Sequence, residues 1–174
     1  MLTLQSTAVP RSSFWARDAA YTIAHDETVI GRIDLFASPR DNGDAHIQIQ
    51  GQSFEGHILV TGRSRWAHVP SRWIMRLEGR ELHGAVWENG KTWVTEAGEG
   101  SERLRLRRSA FGGSTAIERE HDQAQLGEIK WLKARLLPKP IPRRVGLETS
   151  LELPETFEVF LLWIVVEDDF RNAD

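Results

Sequence analysis

The chain predicts a mainly β fold built around one enclosed apolar element, and three observations carry that expectation. Most of the sequence reads as short runs of alternating apolar and polar residues broken by Gly, Asn and Asp, the pattern of half-buried strands. One motif recurs without gaps: His25-Asp26-Glu27-Thr28-Val29-Ile30-Gly31-Arg32-Ile33 aligns on His121-Asp122-Gln123-Ala124-Gln125-Leu126-Gly127-Glu128-Ile129. Near the C-terminus, Phe157 to Val166 holds a single charge in ten residues, and Val159 to Val166 is apolar on every side. A surface helix shows a polar stripe, so this run is a core rod surrounded by protein. It is also too short for a membrane span, which takes about 20 apolar residues as a helix.

In chain order, Met1 to Arg17 lacks the basic lead and apolar block of a secretory signal, so no export is expected. Strand candidates follow at Tyr21 to Ala24, Val29 to Phe36, His46 to Gln50, His57 to Thr61 and Trp73 to Leu77. The clearest hairpin is Ala85 to Val94, where Asn89-Gly90 suits the two positive-φ positions of a type I′ turn. That register sets Glu88 opposite Lys91 and Val86 opposite Trp93, a charge pair and an aromatic–aliphatic pair. Further strands are expected at Leu104 to Arg108, Thr115 to Arg119, Gln125 to Trp131 and Val145 to Leu153. In Leu104 to Arg108 the leucines alternate with arginines, giving a strand with a basic outer face. The repeated His-Asp falls at a turn, and the repeated Gly lies inside the returning strand, where glycine marks a bulge or a close backbone approach. Leu82-His83-Gly84-Ala85-Val86 is a weaker third copy.

Three prolines between Leu137 and Arg144 cannot join a central strand, so this stretch is a stiff extended connector. The rod after it fits either a helix or a buried strand. Its β-branched Val159, Ile164, Val165 and Val166, and the acids Asp168 and Asp169, speak for a strand or an early stop. Pro154 at a first helical position, with Glu155 and Glu158 near the positive end of the dipole, favours a helix.

The 174 residues, 40% apolar and 27% charged, suit a single domain over 1–174 with a sizeable core. Without cysteine there is no disulfide framework, thiolate nucleophile or thiolate metal site, which suits a reducing, cytoplasmic setting. The net charge of −3 excludes a globally basic nucleic-acid binder. The charge is nevertheless uneven. Residues 128–148 carry Lys130, Lys133, Arg135, Lys139, Arg143 and Arg144 against two acids, while 151–174 carry seven acids against Arg171. The basic cluster is the candidate anion- or lipid-binding site; the bland alternative is a solvated face.

No catalytic constellation emerges. His121-Asp122 with Glu118 and Glu120 is the densest set of metal or acid–base groups, yet His-Asp recurs at 25 and 26 without those acids, which favours a turn. Gly51-Gln52-Ser53-Phe54-Glu55-Gly56 misses the G-x-S-x-G spacing by one residue, and Gly112-Gly113-Ser114-Thr115 lacks the Lys of a phosphate loop. Seven Trp, with Arg63, Arg65 and Arg72 around Trp66 and Trp73, could stack on bases, but packing inside or at the rim of a barrel, with the indole N–H reaching a partner, is the stronger reading. No metal, cofactor or nucleic acid is expected.

The residues Val29-Ile30-Gly31-Arg32-Ile33, Gln125-Leu126-Gly127-Glu128-Ile129 and Phe157 to Val166 carry a resemblance to the tubby-like superfamily, which includes the LURP-one-related proteins and phospholipid scramblases. The resemblance implies a closed antiparallel barrel of about twelve strands around a central hydrophobic C-terminal helix. It also implies a non-enzymatic binding or scaffold module, recognising anionic lipid head groups or a membrane surface. The tubby lipid-binding residues do not map one by one onto this chain, and the thiols that scramblases acylate are missing. The rival reading is a small-molecule-binding barrel of lipocalin type, whose helix would lie outside and be amphipathic.

Overall fold

The structure is a computed structural model that describes residues 1–7, 17–37, 44–63, 68–88, 91–96, 103–109, 113–132 and 144–171. Twelve strands run in order: β1 (Leu2–Thr7), β2 (Arg17–His25), β3 (Thr28–Ala37), β4 (Asp44–Ile49), β5 (Gln52–Arg63), β6 (His68–Leu77), β7 (Arg80–Glu88), β8 (Lys91–Glu96), β9 (Leu104–Arg108), β10 (Ser114–Arg119), β11 (Gln125–Trp131) and β12 (Arg144–Thr149). Each pairs antiparallel with its sequence neighbours, and β1 pairs with β12, Leu2 opposite Leu147 and Leu4 opposite Val145, to close the barrel. Closure leaves no free edge among the strands.

Alternation divides each wall strand between inside and outside. Leu2 and Leu4, Ile33 and Leu35, Ile47 and Ile49, Leu104 and Leu106, and Val145 and Leu147 all point inward and are buried. A barrel of this size is too wide for wall side chains alone to fill; eight strands is about the limit for that. The remaining space is taken by α1 (Glu155–Arg171), whose residues from Val159 to Val166 are at most 4% exposed. The helix joins the inward residues of the wall in one continuous apolar core.

The rod is therefore a helix, and it continues through Asp168 and Asp169 instead of stopping before them. Pro154 sits one position earlier than expected: the amide of Glu158 donates to its carbonyl at 3.1 Å, which makes it the cap of a helix beginning at Glu155. β12 ends at Thr149, short of the expected Leu153, and β1 was not among the expected strands.

The hairpins follow a common plan. Asp26-Glu27, Gln50-Gly51 and Glu78-Gly79 each place two consecutive residues at positive φ between paired strands, as type I′ turns require. Asn89-Gly90 lies outside the described residues, but the flanking register is the predicted one, Glu88 opposite Lys91 and Val86 opposite Trp93. The repeat is real in structure. Ile23 pairs with Gly31 and Ala24 with Val29, leaving Ile30 as a bulge; Ile117 pairs with Gly127 and Glu118 with Gln125, leaving Leu126 as its counterpart. In the third copy Met75 pairs with His83 and Arg76 with Glu81, so the bulge is Leu82. The equivalent of Gly31 and Gly127 is thus His83, and not Gly84.

Candidate functional site

The barrel has two ends. At the near end, α1 enters between the turns: Gln50 Nε2 donates to Glu155 Oε2 at 2.8 Å, and His25 Nδ1 lies 3.4 Å from Glu155 Oε1. This end is acidic, with Asp26, Glu27, Glu78, Glu120, Asp122, Glu152 and Glu155 in or beside its turns. Two of these acids hold turns together. Asp26 accepts from the terminal amine of Met1, which pulls its carboxyl below the usual range. Asp122 accepts from the Ala124 amide at 3.1 Å, the main cause of its own lowered pKa. The His-Asp pairs are turn elements, as expected.

Neither acid near His121 is poised as a metal ligand. Glu118 points outward from β10 and is buried under two arginines of β9: Arg107 Nε donates to it at 2.5 Å and Arg105 lies 3.6 Å away. Glu120 lies 3.6 Å from Arg103, which also reaches Glu88 at 3.5 Å. The expected basic face of β9 is therefore neutralised by its neighbours. No group of three or more metal-ligating side chains occurs among the described residues.

Ser53 and Gly51 belong to the β4–β5 hairpin and its I′ turn, and Gly113 leads into a strand, so neither motif has the strand-to-helix setting its chemistry needs. Of the tryptophans, Trp163 and Trp73 are core residues, but their indole N–H groups have no hydrogen-bond partner among the described residues, contrary to expectation. Trp93 is on the outer face, with the Arg103 guanidinium 4.9 Å from its ring centroid. Trp66 lies outside the described residues, and so do the side chain of Arg63 and all of Arg65.

Of the basic cluster, Lys133, Arg135, Lys139 and Arg143 lie outside the described residues. Lys130 and Arg144 are placed on adjacent strands, on the outer face at the far end, where β11 ends and β12 begins. Lys130 donates to Glu148 at 2.8 Å and lies 3.4 Å from Glu128. The Glu148 bond raises its pKa, so it stays charged but locally compensated. Arg144 is half-buried, and its Nε has no partner among the described residues.

Sequence reasoning missed the apolar residues at the same end. Of the exposed large apolar side chains among the described residues, Phe36, Leu59, Trp87 and Leu132, 39–47% exposed, sit toward the far ends of β3, β5, β7 and β11, while Met1 and Val29 lie at the near end. For three of the far-end side chains the signal was available: Leu35-Phe36, Ile58-Leu59 and Trp131-Leu132 are apolar doublets, and alternation forces one member of such a doublet away from the core. Trp87 follows the outward Val86 and is exposed as the second-last residue of β7. β2 starts at Arg17 and β5 and β9 stop at Arg63 and Arg108 at this end, against Asp44, Glu88 and the last acids of α1.

On the outer wall a shallow cleft of about 130 Å³ lies over Gly84, between the Arg72–Glu81 ion pair and Trp93 with Arg103. Its charges are already paired. No helix among the described residues is long and apolar enough to cross a membrane. No family model, curated protein or solved structure matches this chain.

Proposed function

We propose that the protein is a non-enzymatic binding module of tubby-like type that docks its far end on an anionic lipid surface. The observation that carries this reading is the coincidence, at one end of the barrel, of exposed apolar side chains with the strand ends that bracket the basic connector. Leu132 and Arg144 are neighbours there: the Leu132 amide donates to the Arg144 carbonyl at 2.8 Å. An amphipathic rim of aromatic, aliphatic and basic groups suits the headgroup layer of a bilayer. The acidic near end would be repelled by the same surface, which fixes the orientation.

The twelve-stranded barrel around an apolar helix also agrees with what the tubby-like resemblance implies. The lipocalin reading needs a hollow interior, and α1 occupies that space. Lys133, Arg135, Lys139, Arg143 and Arg144 would carry the electrostatic part, each adding about 1 kcal/mol near an acidic membrane. Lys130 contributes less, being held by Glu148. Co-sedimentation with phosphatidylserine-containing and pure phosphatidylcholine vesicles tests this. Binding should be confined to the acidic vesicles, weaken with salt, and fall sharply in a Lys139/Arg143/Arg144→Ala triple variant. No binding at low salt, or binding indifferent to the triple variant, overturns the reading.

A further inference from the structure

The repeat leaves one inward position chemically distinct. Behind each bulge the next residue faces the interior: Gly31 in the first copy, Gly127 in the second and His83 in the third. His83 is 4% exposed and is lodged between β7 and the first turns of α1. Its Nε2 lies 3.1 Å from Thr156 Oγ1, and its ring packs on Phe157 and Phe160 at centroid distances of 5.0 and 5.6 Å. Nδ1 makes no well-formed hydrogen bond among the described residues, although the neighbouring Leu82 backbone favours the protonated ring somewhat. A neutral imidazole tolerates this seat, because it needs only one polar partner. An imidazolium has two N–H donors and a charge, and apart from the Thr156 hydroxyl and the Leu82 backbone the seat is lined by two phenyl rings, so desolvation outweighs the polar contacts.

We propose that His83 is an acid-responsive latch: taking up a proton there loosens the first turns of α1 from the barrel wall while the Trp163 end stays seated. No carboxylate among the described side chains is paired with it. On α1, Glu155 and Glu158 lie on the opposite side of the helix, toward His25, Gln50 and the Met1 amine. On β6 and β7, the Glu81 carboxylate is held by Arg72 at 2.9 Å and Arg76 stands opposite Glu81 in the register beyond the bulge, and on β8 the cross-strand position holds Glu96.

Burial pushes the His83 pKa down to about 4 from 6.5, so the open or unfolded chain binds the proton more readily than the closed one. Stability linked to His83 is therefore intact above about pH 6.5 and declines as the pH falls toward 4. Glu158 acts with the opposite sign: desolvation raises its pKa, so it stabilises the closed state as acid is added. The lowered pKa values of Asp26, Asp122 and Glu128 also cost stability toward the acid end of this window, but equally in wild type and in a His83 variant. His83→Gln keeps one amide for Thr156 and cannot be protonated.

Urea unfolding of wild type and His83→Gln between pH 7 and 4.5 separates the contributions. The folded-to-unfolded ratio of wild type should fall relative to the variant by a factor approaching tenfold per pH unit. Parallel profiles overturn the latch. Should the variant fail to fold, hydrogen exchange of the wild type, corrected for intrinsic rates, decides: protection at 157–160 should drop on acidification before protection at 163–166. Loss that is uniform along α1, or no loss, overturns it.

Discussion

Phe160 is where wall and helix meet most tightly. It is fully buried and lies between Phe157 and Trp163, with ring centroids 6.3 and 5.7 Å away, and His83 on its other side. These aromatic residues recur every third position, so one stripe of α1 is a continuous stack facing the wall. Gly56 on β5 completes the fit: a Cβ there would stand 2.8 Å from the Trp163 indole, so the strand gives up a side chain to admit the ring. Phe160→Ala removes the middle of the stack and leaves a cavity that a closed barrel cannot collapse to fill. The expected cost is about 3–5 kcal/mol by chemical denaturation. An unchanged midpoint and slope would mean that α1 is not the core of the barrel.

At the scale of the element, the bulged hairpins are set by backbone proximity. Gly31 and Gly127 both have ordinary negative-side backbone, but a Cβ on Gly31 would run into the Gln48 carbonyl, and one on Gly127 would stand 2.7 Å from the Glu148 carbonyl. Gly31→Val and Gly127→Val should each destabilise the fold by about 1–3 kcal/mol, Gly31→Val more. Gly113→Val, where a Cβ meets nothing within 4 Å, serves as the control in the same thermal melts. Equal melting temperatures for all three would remove the close approach as the reason for glycine. Such local features were largely legible in the chain: the Gly repeat, the Glu88–Lys91 register and the all-round apolar rod each follow from periodicity and turn chemistry. What escaped was decided by the third dimension. Leu2 and Leu4 alternate too, but six residues at a polar terminus become a strand only because β2 and β12 stand on either side. The third bulge slipped by one residue because His83 and Gly84 are interchangeable to a pattern, while only the register reveals which of them faces α1. Of the candidate site, Lys130 looked like a free charge in the sequence; Glu148, 18 positions away, holds it across the β11–β12 ladder.

The whole molecule depends on one seam. Eleven of the twelve strand pairings join consecutive strands, as expected for a meander, and only β1 with β12 joins the two ends of the strand series. That seam carries Leu2 and Leu4 into the core, both buried, and their neighbours Leu147 and Val145 lie under α1. Deleting residues 1–7 would therefore expose β2 and β12 as two long edges and uncover the flank of an apolar helix, a combination that templates pairing between chains. The shortened protein should form dimers or aggregates in size-exclusion chromatography, with a lower melting temperature than the full chain. A synthetic peptide of residues 1–7 added during refolding should compete for the gap and restore part of the monomer. A monomeric, equally stable deletion variant would show that the barrel does not need its closing strand, and that α1 alone organises the sheet around it.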